Sequence, residues 1–65
     1  MTTYQINFET ADGSIEEFAT ETSKARAIKA ARIAAKTSIM IEVYEVTRFL
    51  VEANEQTIST HEVAA

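Results

Sequence analysis

The residues in this chain that could do chemistry are few, and their spacing suits none of the common reactions. His61 is the single histidine, next to Glu62 near the C-terminus, where an imidazole is more often a solvated side chain than a base or a ligand. Ser14, Ser23, Ser38 and Ser59 fall in no nucleophile motif, although such groups can assemble across space. Glu16 and Glu17 are adjacent, and neighbours on a strand point to opposite faces, so the two carboxylates do not converge as an acid/base or metal-binding pair. Gly13 is the only glycine, too few for a phosphate-cradling loop, and the absence of cysteine removes thiolate nucleophiles, sulfur-ligated metals and disulfides together. The expectation is a non-enzymatic protein with no catalytic residue, no cofactor and no metal.

A basic run is the sharper signal. Lys24, Arg26, Lys29, Arg32 and Lys36 are five of the six basic residues, and no acid interrupts them. The remainder of the chain holds Arg48 against ten acids, which leaves a net charge of −4. Lys36 and Arg32 near the end of a helix complement its dipole, but Lys24 and Arg26 in the first turns oppose it. One reading is a solvated helix whose long side chains reach acids on neighbouring strands. The other is a face for an anionic partner, a nucleic-acid backbone or an acidic protein surface. No aromatic lies among these bases, so stacking on unpaired nucleobases is not supported.

The elements that must position these residues read as one domain, 1–65, of the α+β class in the order ββαββ: a four-stranded sheet with one amphipathic helix on one face. Tyr4, Ile6 and Phe8 alternate with polar residues as a half-buried strand does. Ala11-Asp12-Gly13 fits a type I turn closed by a left-handed residue, and it places Phe18 of the second strand beside Ile6. That second strand alternates poorly and suits a sheet edge. Thr22 is the expected N-cap of a helix running to Thr37, with Ala27, Ile28, Ala31, Ala34 and Ala35 on its buried face and Ile33 stranded among the bases. Residues 38–53, rich in β-branched and aromatic types, read as one long strand bent near Glu45 to Arg48; the competing reading makes Thr47 to Gln56 a second helix. A turn at Asn54-Glu55-Gln56 leads to a last strand, Thr57 to Val63.

This arrangement supplies more apolar side chains than one covered sheet face needs. In the long strand Ile39, Ile41, Val43, Phe49 and Val51 share one parity, while Met40, Tyr44, Val46 and Leu50 share the other. If the first set faces the helix, the second forms an exposed apolar patch on the open face of the sheet, the mark of an interface with a partner protein or a second copy. Alternatively a bulge between Glu45 and Arg48 switches parity and buries both sets in one core.

The ββαββ order, with Ala11-Asp12-Gly13-Ser14 and Glu17-Phe18 leading into Lys24-Ala25, resembles the immunoglobulin-binding domains of the protein G and protein L type. That resemblance implies a β-grasp-like mixed sheet with a recognising edge at Ile15 to Thr20. It departs in the C-terminal half, where there is no Trp and no Gly-containing hairpin. In size and acidity the chain also looks like small phage-encoded inhibitors of the anti-CRISPR or anti-restriction kind, through Glu9, Asp12, Glu16, Glu17, Glu42, Glu45, Glu52 and Glu55. The leading expectation is a small protein-interaction domain, homodimeric or partner-binding. The alternatives are nucleic-acid binding by the basic helix and inhibition of a nucleic-acid-binding host protein. No stretch matches a signal peptide or a membrane span, so the expected location is the cytoplasm, away from membranes.

Overall fold

The computed structural model describes residues 2–63, the side chain of Ser38 apart. The elements are β1 (Tyr4–Thr10), β2 (Ile15–Glu21), α1 (Lys24–Lys36), α2 (Ser38–Tyr44), β3 (Val46–Ala53) and β4 (Gln56–Glu62). All neighbouring strands run antiparallel in the order β2-β1-β3-β4. The α+β class and the strand–strand–helix–strand–strand order are those expected. The mixed sheet implied by the resemblance is not formed. Its absence has a physical cause in β3, where Phe49, Leu50 and Val51 are consecutive and all buried. A strand apolar on both faces belongs in the middle of a sheet, and β3 accordingly lies beside β1.

The first hairpin closes as its turn residues dictate. The Gly13 N–H donates to the Thr10 carbonyl at 3.0 Å, Thr10 N–H donates to Ser14 at 2.9 Å, and Gly13 takes the left-handed conformation at φ 90°. Its register differs from expectation by one residue. Ile6 pairs with Ala19 and Asn7 with Glu17, so Phe18 is the extra residue of a bulge. The bulge brings Phe18, Glu16 and Ala19 to the helix side and leaves Ile15 and Glu17 on the open side, which accounts for the poor alternation of this edge strand.

Ser23, not Thr22, caps α1: its hydroxyl accepts from the Arg26 N–H at 3.4 Å. Ala27, Ala31 and Ala34 are buried against Ile6, Phe8, Phe49 and Val51, and Ile28 and Ala35 flank them. Methyl-sized side chains let the helix backbone approach the sheet closely.

The largest correction concerns residues 38–53. The expected long strand is two elements: Ser38–Tyr44 is helix, and Val46–Ala53 alone is strand. The Thr47 to Gln56 segment is therefore not helical. Glu45 separates the two by adopting the left-handed conformation, φ 50° and ψ 48°, as the cap of α2, and its N–H donates to the Ile41 carbonyl at 2.9 Å. A bulge at Thr47 follows, since Glu9 pairs with Arg48 and Thr10 with Val46. Beyond β3 the chain reverses through Asn54 and Glu55, both at positive φ (51° and 66°), the conformation of a two-residue type I′ hairpin.

Neither Glu45 nor Glu55 is a residue type that favours this region, and the left-handed conformation costs a non-glycine residue about 1–2 kcal/mol. Glu45→Gly and Glu55→Gly are each expected to raise stability by about 0.5–1 kcal/mol after the extra chain entropy of glycine is subtracted. Thermal melting followed by circular dichroism checks this. A fall in Tm for either variant would mean that the glutamate side chain stabilises its turn in some other way.

Candidate functional site

Two surfaces of the folded chain have properties that folding alone does not require. The first is a trough between α2 and the bulged part of β2. Met40 and Tyr44, four apart on a helix, share the face turned to the core. Met40 packs against the core cluster, and the Tyr44 ring lies 5.0 Å from Phe8. Phe8 in turn contacts Phe49, whose other neighbour is Phe18 in an edge-on arrangement at 5.7 Å. This line of rings runs from the core to the surface. Aromatic pairs in such geometry add about 0.5–1.5 kcal/mol beyond area burial.

The walls are less covered. Ile39 and Val43, also four apart, are 69% and 65% exposed, Tyr44 44% and Phe18 39%. Together with Ala34, Thr37 and Met40 these residues line an apolar cavity of about 360 Å³. Towards the first hairpin the trough continues into a polar recess of about 460 Å³ that includes Asp12, Glu16, Glu42 and Glu45. Hydrogen bonds from the Thr10 hydroxyl and from the Ser14 N–H hold the Asp12 carboxyl below its usual pKa. The trough is thus apolar along its length and acidic at one end.

The second surface is the outer side of α1. Lys24, Arg26, Lys29, Arg32 and Lys36 are all exposed. Among the described residues the one ion pair joins Arg48 to Glu9, across the open face of the sheet at 2.6 Å. The α1 bases therefore do not reach acids on neighbouring strands. Like charges at Arg26/Lys29, Lys29/Arg32 and Arg32/Lys36 each oppose the helix by about 0.2–0.5 kcal/mol. The first turn, moreover, contains no acid to balance Lys24 and Arg26. Ile33, 56% exposed, lies among these cations. His61 borders this surface with Arg32, Ala35 and Lys36. Burial, and then the positive charge of Arg32, lowers its imidazole pKa below the usual value. Its Nε2 is 3.3 Å from the Ser59 hydroxyl, a short-range pairing that the sequence reading passed over.

The open face of the sheet is the third large surface, and it is not apolar. Register places Gln5, Asn7, Glu9, Glu17, Arg48, Leu50, Glu52, Thr60 and Glu62 there. Leu50 is buried at 4% exposure, and beside it the Asn7 amide donates to Glu52. Comparison of the chain with protein-family models, curated proteins and solved structures returns no match.

The four residues expected to form one open-face patch are therefore dispersed. Met40 and Tyr44 lie on the helix side, Val46 is buried in the core, and Leu50 alone is on the open face, covered by its neighbours. The bulge at Thr47 is the parity switch that buries Val46. The most exposed apolar residues of this segment are instead Ile39 and Val43, which the strand parity assigns to the core, with Tyr44 of the expected set less exposed beside them. No local signal separates the two readings, because pairs four apart share a face in a helix and in a strand alike. Among the described residues no three metal-ligating side chains converge, and no helix is long and apolar enough to cross a membrane.

Proposed function

We infer that this chain is a protein-interaction domain that binds its partner in the trough between α2 and β2. One observation carries the reading: Ile39 and Val43 expose most of their surface on a seven-residue helix, beside an apolar cavity also lined by the Phe18 and Tyr44 rings. Exposed apolar side chains bordering a cleft suit a contact surface better than a solvated one. The acids at one end of the trough favour a partner segment that presents apolar anchors flanked by basic residues, since complementary charge sets orientation and encounter rate. The role is binding and needs no reaction.

The test uses the whole chain as affinity bait, alongside Ile39→Glu/Val43→Glu and a control, Ile15→Glu, which places the same charge on the open face. The expected result is a partner retained by the wild type and the control and lost by the double variant, whose fold is verified by circular dichroism. Sedimentation of the wild type over a concentration series reports whether that partner is a second copy. Identical recovery on all three baits, with a monomer at every concentration, would sink the proposal.

A further inference from the structure

We propose that the outer face of α1 is a second, independent binding surface, one that lies against the phosphate backbone of double-stranded DNA without reading its sequence. Thirteen residues of helix carry five cations, of which Arg26, Lys29, Arg32 and Lys36 share the outer side as a stripe over about 15 Å, with Lys24 beside them in the first turn. All five are exposed, and none forms an ion pair among the described residues. Their mutual repulsion, and the opposition of Lys24 and Arg26 to the helix dipole, give nothing back to the fold.

The chemistry of the stripe decides which anion fits. A protein interface needs an apolar centre with aromatic anchors; here there is no aromatic, and Ile33 is the one large apolar side chain. Isolated carboxylates on a protein surface gain little from exposed cations. A duplex carries one charge per about 1.7 Å of axis and releases condensed counterions on binding, so cations alone suffice. The lack of aromatic platforms disfavours single strands. An α-helix fits the major groove of B-form DNA, whereas that of an RNA duplex is too narrow.

The acidity of the whole chain does not oppose this placement. Glu9, Glu17 and Glu52 lie on the open face of the sheet, the side opposite α1, whereas Glu62 at the end of β4 borders Arg32 and Lys36. Charges more than a Debye length away, about 10 Å at 0.1 M salt, are largely screened. The net charge of −4 thus averages over acids spread across the molecule, among them Asp12, Glu16, Glu42 and Glu45 in the recess beside α2, whereas α1 itself carries bases and no acid.

The experiment is fluorescence anisotropy of the full chain with a random-sequence DNA duplex, its single strand and an RNA duplex of the same sequence, between about 50 and 200 mM salt. With about four phosphates contacted, duplex affinity should fall about 100-fold across that range. Lys24→Gln/Arg26→Gln removes two charges from the end of the helix where they are least favourable, so the variant should fold at least as well as the wild type. It is expected to reduce the logarithmic salt slope by about 2. Lys29→Glu/Arg32→Glu/Lys36→Glu should abolish binding. Four outcomes would overturn the proposal: no binding at low salt, an unaltered slope in the glutamine variant, tighter binding to the single strand or RNA duplex, or retention through these same residues of an acidic protein instead of DNA.

Discussion

Phe49→Ala is expected to remove a large part of the chain's stability at room temperature. Phe49 has no exposed surface, contacts both Phe8 and Phe18, and lies in the central strand β3. Truncating a buried phenylalanine costs about 3–5 kcal/mol, because the transfer energy is lost and the cavity collapses only partly. At about 0.05–0.15 kcal/mol per residue, a domain of this size has about 3–10 kcal/mol in total. It has no disulfide to limit the unfolded ensemble. Urea titration followed by far-UV circular dichroism should show the cooperative transition shifted to much lower urea or missing altogether. A loss below about 1 kcal/mol would mean that the ring line from Tyr44 to Phe18 does not organise the core.

The second large effect is expected from adding atoms. Ala31 is fully buried where α1 lies on the sheet, and Ala31→Leu inserts three carbons into a space sized for a methyl group. Overpacking of this kind typically costs about 1–3 kcal/mol, through off-rotamer side chains and backbone shifts. The upper end is expected here, because α1 must lift from β1 and β3 together. Ala25→Leu, on the exposed side of the same helix, is the control and should be nearly neutral. The two variants add the same atoms to the buried and to the exposed side of the helix, so equal melting temperatures would show that the alanine face does not set the distance between the layers.

The features legible in the sequence were those with a short-range cause. The turn at Asp12-Gly13, the alanine face of α1, the exposure of Ile33 and the edge position of β2 each follow from neighbours a few residues apart. Residues 38–44 were misread because Ile39, Met40, Ile41, Val43 and Tyr44 have strand-like propensities, and because pairs four apart share a face in either conformation. Helix forms there because the sheet leaves Phe8, Phe18 and Phe49 uncovered beyond the end of the alanine face. Met40 and Tyr44 cover them only if the backbone coils. Long-range burial outweighs local preference, and the candidate site moves from the open face of the sheet to the trough beside α2.

By itself, the sequence determined the α+β class, the element order outside residues 38–53 and the separation of basic from acidic residues along the chain. Those depend on periodicity, turn chemistry and charge, which act over a few residues. The tertiary structure decided that β3 sits beside β1 in an antiparallel sheet, that the apolar surplus is divided between the core and a trough, and that the acids are shared between the open face of the sheet and the recess beside α2. Each of these depends on register, where a one-residue bulge at Phe18 or at Thr47 turns side chains from one face of the sheet to the other. A bulge is set by what the paired strand and the covering helices can accommodate, so it exists only once the chain has folded.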